Sequence, residues 1–274
     1  MKIFIDVGSH YGETVLEIAK DKYFFDKIYC FEPSKKCIPS LQNIADKDDR
    51  IKIFNCGLSN KNYKSRLFDS GSEAASIFQN NENNINDSEE ISLLDAGDWF
   101  KDNTAEGSII VVKLNCEGSE VDIVDSLIQS NEFEKIYNIL ITFEGYNILI
   151  TFDVRNFDHL KYKEIETRKK LRSLKYNNYC FSDNVMLGST HERRIENWLS
   201  LFGVDTNISN LEALRKLYLE NFKIYSNKTG FRQRLEGNIK NLMLYEKYPS
   251  SIKSFFRWIK RSLKLSRELD LERK

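Results

Sequence analysis

The chain has no excess of charge of either sign, few histidines and no long apolar run. Its 41 basic and 41 acidic side chains give a net charge of zero, so no global field draws it toward nucleic acid. The three histidines, His10, His159 and His191, lack the spacing of metal ligands, and we predict no metal site. No apolar stretch is long enough to span a bilayer. Because residues 2–7 already have the pattern of a strand, we expect no signal peptide.

The cysteine pattern gives no sign of a disulfide framework. There are five cysteines, an odd number, and none is arranged as C-x-x-C. Several lie in or beside apolar strand patterns, where a cysteine behaves as a small buried hydrophobe. We therefore expect free thiols and a reducing, cytoplasmic location.

The most informative segment is the N-terminal one, where a strand runs into a glycine turn and then a helix. Residues 2–7 read KIFIDV, residues 8–14 read GSHYGET, and an apolar helical pattern follows. A strand, glycine turn and helix in this order form the unit that wraps a nucleotide. The glycine spacing is D-x-G-x-x-x-G and not G-x-G-x-x-G. It favours a ligand with an amino acid end over one with two phosphates, and it disfavours a dehydrogenase.

Each residue of this turn has an expected role. Gly8 permits the tight turn, and Gly12 permits close approach of a ligand to the main chain. Asp6 either accepts hydrogen bonds from an ammonium group or holds the turn. His10 either reaches the ligand or is an ordinary loop histidine. The predicted cofactor-binding residues here are Asp6, Gly8, Ser9, His10, Tyr11, Gly12 and Thr14.

A second acidic residue supports nucleotide binding. Residues 28–33 read IYCFEP, a short apolar strand that ends at Glu32. Glu32 lies about twenty residues beyond Gly12, where an acid at the end of the second strand binds a ribose diol. The alternative is a Rossmann-like sheet whose acids only cap helices.

A third segment makes a family resemblance specific. Residues 109–127 read IIVVKLNCEGSEVDIVDSL, a strand that breaks near Asn115 and enters a helix. Together with DVGSHYGET at 6–14, FEP at 31–33 and NCGLS at 55–59, this segment resembles the FkbM family of S-adenosylmethionine-dependent methyltransferases. The resemblance covers roughly residues 1–190. It implies a class I methyltransferase fold and methylation of a hydroxyl on a sugar or a secondary metabolite. The family usually has Asp where this chain has Asn115.

The resemblance also implies positions for the cofactor. The carboxylate of S-adenosylmethionine should meet N–H groups between Gly8 and Gly12, and Glu32 should hold the ribose. Asn115 should face the methyl group, where its amide can orient a hydroxyl but cannot act as a base or a good metal ligand. The residues expected to flank the adenine are Cys56, Gly57 and Leu58.

Several side chains are candidates for the base that removes the hydroxyl proton. Glu117 and Glu120 are the carboxylates nearest to Asn115 in the sequence. For Glu120, the alternative is a first-turn acid that interacts with its own helix dipole. Asp153 and His159 are weaker candidates.

The order of elements predicts an α/β protein with a mainly parallel, Rossmann-like sheet and a C-terminal helical appendage. We assign residues 1–204 to the S-adenosylmethionine-binding domain and 205–274 to the appendage. Residues 60–90, rich in Asn, Ser and Glu, are expected to be irregular, and so long a loop is typical of a lid, a binding loop or disorder. YNILITF occurs at 137–143 and again at 146–152. One copy should be the fifth strand, and the second is either a hairpin partner or, as we favour, a tolerated duplication.

The predicted strands are 2–7, 28–32, 51–55, 109–114 and a last one in 177–189. The predicted helices are 12–20, 35–45, 119–130, 158–174, 193–202, 209–225, 231–246 and 250–268.

The last predicted helix, 250–268, carries an apolar stripe flanked by basic residues. That pattern is typical of a helix lying on an anionic membrane surface, and also of one packed on its own domain or a partner.

Two functions remain open. One is an O-methyltransferase for a sugar, nucleotide-sugar or glycan precursor of bacterial surface polysaccharide, on the inner face of the membrane if the helix docks there. The other is a non-catalytic module that recruits partners through its helical tail.

Overall fold

The computed structural model describes residues 1–78, 88–142, 158–174, 176, 178–182, 190–202 and 204. The chain divides into two compact units, residues 1–148 with 153–182, and residues 149–152 with 183–274. The predicted boundary at residue 204 falls inside the second unit and stays a prediction. Across the described ranges no helix is both long and apolar enough to cross a membrane.

Strands and helices alternate along the described chain. They are β1 Lys2–Val7, α1 Glu13–Ile18, β2 Lys27–Phe31, α2 Ile38–Ala45, β3 Ile51–Phe54, β4 Gly57–Ser59, β5 Tyr63–Phe68, β6 Ser88–Asp95, α3 Ala96–Asn103, β7 Ile109–Leu114, α4 Glu120–Gln129, β8 Ile136–Ile141, α5 Asp158–Ser173, β9 Tyr179–Phe181 and α6 His191–Leu201. Short 3₁₀ turns occupy Asp21–Tyr23 and Phe133–Lys135.

The main sheet has six strands in the order β3-β2-β1-β7-β8-β9, and every neighbouring pair is parallel. The predicted Rossmann-like α/β class is therefore confirmed. All six residues are buried in each of β1, β7 and β8, as expected for strands covered on both faces. The strand order reverses between β1 and β7, and ligands bind at such a switch point, beyond the carboxyl ends of the strands.

A second, three-stranded sheet has the order β4-β6-β5. Here the prediction of an irregular segment from 60 to 90 is wrong for residues 63–68, which form β5 antiparallel to β6, and for residues 88–90, which begin β6. Along β5, half-buried and exposed residues alternate before Leu67 and Phe68, which is the period of a strand. Because Ser65 is polar and lies on the half-buried face, between the exposed Lys64 and Arg66, the apolar half of that period is hidden in the sequence. The asparagine-rich part, 79–87, lies outside the described residues.

The remaining predicted elements correspond closely to observed ones. β8 contains most of the first YNILITF copy and is the fifth strand of the main sheet, next to β7. The second copy at 146–152 lies outside the described residues, as do the helices predicted at 209–225, 231–246 and 250–268. β9 is the strand expected within 177–189.

A buried ion pair joins the two central strands. Lys113 Nζ lies 2.8 Å from Asp6 Oδ1 and 3.4 Å from the carbonyl oxygen of Gly8. The two side chains are 6 % and 0 % exposed, and the two residues face each other in the β1–β7 register. The ammonium partner considered for Asp6 is therefore supplied by the protein itself. Removing one partner of such a pair leaves a buried charge without compensation.

Lys113→Met should lower the free energy of unfolding by about 3–5 kcal/mol, because the Asp6 carboxylate loses its ammonium partner inside the sheet. Lys27→Met, at the exposed start of β2, is the matched control and should change stability by less than about 0.5 kcal/mol. Adding Asp6→Asn to Lys113→Met should recover part of the loss. Urea unfolding measures all three, and equal stability of the two lysine variants would contradict the assignment.

Candidate cofactor site

Three loops follow the carboxyl ends of β2, β1 and β7, which are neighbours in the sheet in that order. They are residues 32–36, residues 8–12 and residues 115–119. Together they contain most of the residues that the sequence predicts for the cofactor. They meet at the switch point of the sheet, so the fold brings the N-terminal glycine turn and the Asn115 loop side by side.

Gly8 lies directly against the backbone of the neighbouring loop. Its φ is +81°, and a Cβ atom placed on it would come within 1.9 Å of the carbonyl oxygen of Asn115. Only glycine fits here, which confirms the clash expected at this turn. Gly12 also has a positive φ, +97°, but its added Cβ would meet the side chains of Ile44 and Leu41 in α2. Helix packing therefore accounts for Gly12, and close approach of a ligand there stays a prediction.

Most N–H groups of the turn are already used within the protein. Gly8 and Ser9 donate to the carbonyl oxygen of Phe31 at 3.0 and 3.1 Å, and Gly12 donates to Ser9 at 2.9 Å. His10 donates to Glu32 Oε2 at 2.8 Å. The Tyr11 N–H donates to no oxygen among the described residues. A cofactor carboxylate would therefore meet fewer available donors at this turn than its sequence suggests.

Glu32 fastens the turn to the end of β2. Besides the His10 N–H, its Oε1 accepts the Ser34 N–H at 2.9 Å, and the side chain is 6 % exposed. Burial raises the pKa of Glu32 above its ordinary value, and the two N–H donors oppose that shift. Each carboxylate oxygen has more than one lone pair, so both can still accept a ribose hydroxyl. Binding a ribose and holding a loop are compatible roles for this residue.

His10 is fixed in an unusual conformation. Its φ is +50°, its ring packs edge-to-face on Tyr11, and its Nδ1 lies 3.2 Å from Glu13 Oε1. Its Nε2 atom is buried and has no hydrogen-bond partner among the described residues. Because an ionised carboxylate only accepts, the contact with Glu13 places a proton on Nδ1 and leaves Nε2 with a lone pair in the neutral ring.

Asn115 presents a second buried polar atom at this edge. Its backbone N–H donates to Val7 at 3.0 Å, which continues the pairing of β7 with β1. Its side-chain Oδ1 is buried, and no donor among the described residues reaches it. Buried polar atoms are nearly always hydrogen-bonded in folded proteins. The unmatched atoms of His10 and Asn115 belong to the loops that follow the neighbouring strands β1 and β7.

The acidic candidates near Asn115 are engaged in local structure. Glu120 accepts the N–H groups of Cys116 at 2.7 Å and of Gly118 at 2.9 Å, and it is 1 % exposed. This geometry favours the alternative reading of Glu120 as a first-turn acid that shapes the loop before α4. Glu117 has a φ of +55°, and its carbonyl oxygen accepts the Ser76 hydroxyl at 2.7 Å. Glu117 as a base stays a prediction.

Other predicted residues lie nearby but in different settings. The side chains of Cys56 and Leu58 belong to the main core, and a Cβ on Gly57 would come within 2.5 Å of Leu93, so adenine contact there stays a prediction. Ser9 is buried and donates its hydroxyl to the Asp6 carbonyl, and Thr14 is buried in α1. Asp153 lies outside the described residues. His159 is in the first turn of α5, after β8, and its role as a base stays a prediction.

Two further residues shape this edge and were missed by the sequence analysis. Lys113 could have been suspected, because it is a lone cation in the apolar run IIVVKL. Asn55 donates its amide to the carbonyl oxygens of Glu32 and Pro33 at 3.0 and 3.1 Å and so holds the loop after β2. Throughout the described ranges, no three His, Cys, Asp or Glu side chains are grouped to hold a metal ion.

Comparison with known proteins gives little beyond the fold. No family model and no curated protein matches the chain. Among solved structures it is similar to the crystal structure of Methyltransferase FkbM from Methylobacillus flagellatus KT, with 17 % sequence identity and a TM-score of 0.34. The likeness covers 50 % of this chain, which spans only 32 % of that one. A likeness of this degree carries no argument, and the fold assignment rests on the strand order described above.

Three positive-φ glycines allow the constraint at Gly8 to be measured. Gly107 has a φ of +75° and open space around it, so Gly107→Ala should cost only the left-handed conformation, about 1–2 kcal/mol. Gly12→Ala should cost somewhat more, because the end of the Ile44 side chain must move. Gly8→Ala should be the most destabilising, because backbone opposes it. Urea unfolding of the three variants gives the order, and a Gly8 variant as stable as the Gly107 variant would contradict it.

Proposed function

We propose that this chain is an S-adenosylmethionine-dependent methyltransferase that O-methylates a sugar or glycan precursor. The observation that carries the proposal is the pair of buried polar atoms, His10 Nε2 and Asn115 Oδ1, without hydrogen-bond partners among the described residues. They lie at the switch point of a parallel sheet, where such folds bind nucleotides. A polar ligand at this edge would satisfy both atoms. The sequence resemblance to the FkbM family supports the choice of ligand.

The residues at this edge fit an adenosyl cofactor with an amino acid end. Glu32 offers two carboxylate oxygens to a ribose diol, and Tyr11 offers a backbone N–H to a carboxylate. The cofactor, when bound, supplies an electrophilic methyl group. The protein has to position a hydroxyl in line with that group and accept its proton.

Two side chains suit those tasks. The Asn115 amide can orient the hydroxyl by donating to its oxygen from Nδ2, and its Oδ1 is left to accept a hydrogen bond from another donor of the ligand. The His10 ring, oriented by Glu13, directs a lone pair at Nε2 into the buried edge and can accept the proton. Glu120 is a poor base, because it is 1 % exposed and its two oxygens hold the N–H groups of the loop before α4.

Calorimetric titration of the full chain with S-adenosylhomocysteine, beside NAD, tests the cofactor. We expect S-adenosylhomocysteine to bind and NAD not to bind; the reverse result would identify a dinucleotide protein. Turnover is then measured with S-adenosylmethionine and a panel of methyl glycosides, nucleotide sugars and lipid-linked glycans. No metal is expected to be needed, so excess EDTA should leave turnover unchanged. Cofactor binding without methylation of any acceptor would favour the non-catalytic module.

Glu32→Ala should weaken S-adenosylhomocysteine binding by about 1.5–3 kcal/mol, because the ribose diol loses a charge-assisted hydrogen-bond partner. Glu90→Ala, an exposed carboxylate on β6, is the matched control and should bind as the parent does. Urea unfolding of both variants separates loss of the ribose partner from loosening of the turn. Parent-like affinity of the Glu32 variant would exclude the ribose role.

The same carboxylate should give the affinity a pH dependence. Burial raises the pKa of Glu32, so protons compete for it in weakly acidic solution, above its ordinary value of 4.5. A ribose diol donates hydrogen bonds and prefers the ionised form. Affinity should therefore fall as the pH falls through this raised pKa. Calorimetry across that range should show the fall in the parent and not in Glu32→Gln, which does not titrate; parallel profiles would contradict the assignment.

We further propose that residues 250–268 dock on the inner face of an anionic membrane, where a lipid-linked glycan acceptor would be found. The segment carries five flanking cations, each worth about 1 kcal/mol near such a surface. Vesicles containing phosphatidylglycerol should co-sediment the full chain at low salt but not a chain that ends at Tyr248. Equal, negligible binding by both would make this segment an ordinary packing element. Those five cations are Lys253, Arg257, Lys260, Arg261 and Lys264.

A further inference from the structure

Residues 69–78, which we call the strap, follow β5 and return on themselves. Phe68 and Ser76 exchange backbone hydrogen bonds of 2.9 and 3.2 Å, so the strap is closed at its base. Asp69 and Gly71 both have positive φ, +51° and +81°, which turns the chain sharply. These residues belong to the long segment 60–90, for which the sequence predicts a lid, a binding loop or disorder.

One end of the strap is attached to the loop after β2. The hydroxyl oxygens of Ser70 and Ser34 lie 2.7 Å apart, and Ser70 also donates to Glu89 on β6. Glu89 in turn accepts the N–H of Lys35 at 3.0 Å. Ser70 is buried, so this anchor lies beneath the strap and not on its outer surface.

The other end is attached to the loop after β7. Ser76 is buried, and its hydroxyl donates to the carbonyl oxygen of Glu117 at 2.7 Å. Since β1 lies between β2 and β7 in the sheet, a strap fastened to both flanking loops crosses the glycine turn after β1. Gly71 marks the crossing. A methyl group placed on it would lie 3.3 Å from the Tyr11 hydroxyl and 3.0 Å from Lys36 Cδ.

We infer that the strap is the outer wall of the ligand site and the gate through which an adenosyl ligand reaches it. The choice of ligand rests on the proposed function; the position of the strap does not. Hydroxyl hydrogen bonds hold each end to the loops, and Ala75 and Ile77 pack against the small cluster of Leu67, Ile91 and Leu93. Such a segment can open without unfolding the sheet beneath it.

Hydrogen exchange of the full chain tests both parts of the inference. In the ligand-free protein, amides of 70–76 should exchange through a local opening, faster than those of β1 and β7. Saturating S-adenosylhomocysteine should slow their exchange at least tenfold. If the strap amides exchanged only when the whole sheet unfolds, the strap would be a fixed wall, and its role as a gate would be overturned. Unchanged exchange of the strap in a protein that binds the ligand would overturn the wall.

A serine series tests the gate kinetically. Ser76→Ala removes the donor to Glu117 and also the acceptor of the Phe78 N–H within the strap. Losing the bond to Glu117 should raise the open fraction about fivefold. Stopped-flow binding of S-adenosylhomocysteine should show faster association and faster dissociation, with Ser70→Ala changing both in the same direction. Ser72→Ala is the matched control, because Ser72 is an exposed strap residue whose hydroxyl accepts only the Ala74 N–H within the strap. Equal rates for Ser76→Ala and Ser72→Ala would overturn the gate.

Failure of the proposed function gives a different result. If calorimetry showed that the parent binds no S-adenosylhomocysteine, the cofactor assignment would fall. Hydrogen exchange of the ligand-free variants would still test whether the strap opens locally. Because Ser76→Ala loses an anchor, its amides 70–76 should exchange faster than those of Ser72→Ala. Identical exchange in the two variants would overturn local opening of the strap.

Discussion

The contact between Gly8 and the backbone of Asn115 fixes the arrangement of the whole site. A Cβ at position 8 would lie 1.9 Å from a carbonyl oxygen, so β1 and β7 can end side by side only with glycine there. The Asp6–Lys113 pair holds the same two strands together one step earlier. Because the loops that follow these two strands are in contact, His10 and Asn115 lie at the same edge of the sheet.

Two carboxylates then shape the loops on that edge in the same manner. Glu32 accepts two backbone N–H groups beside β2, and Glu120 accepts two before α4. Each satisfies donors that the ends of regular structure leave without partners. Glu120 holds only the loop before α4, whereas Glu32 joins two different loops. The two acids have the same local chemistry, and the ribose role proposed above is what would distinguish Glu32.

The parts of the fold that sequence predicted are those governed by local rules. Buried parallel strands have continuous apolar runs. Gly8 occupies a turn that only glycine can adopt, and Glu32 ends the second strand about twenty residues beyond the glycine turn. What was missed depends on distant partners. Asp6 and Lys113 are 107 residues apart, and β5 becomes a strand by pairing with β6. The second role of Glu32 is to accept the His10 N–H, and this contact likewise forms only when β1 and β2 are adjacent.

The buried edge is less stable than it could be, and that deficit is informative. A buried polar atom without a partner costs about 1–3 kcal/mol, and a left-handed φ at a residue such as His10 adds to the cost. An apolar side chain at either position would avoid the unmatched atom. Under the function proposed above, donor groups of the ligand would supply the missing hydrogen bonds and recover free energy that folding lost. The strap inferred above would exclude water from this edge, so that the two atoms remain available to hydrogen-bond the ligand.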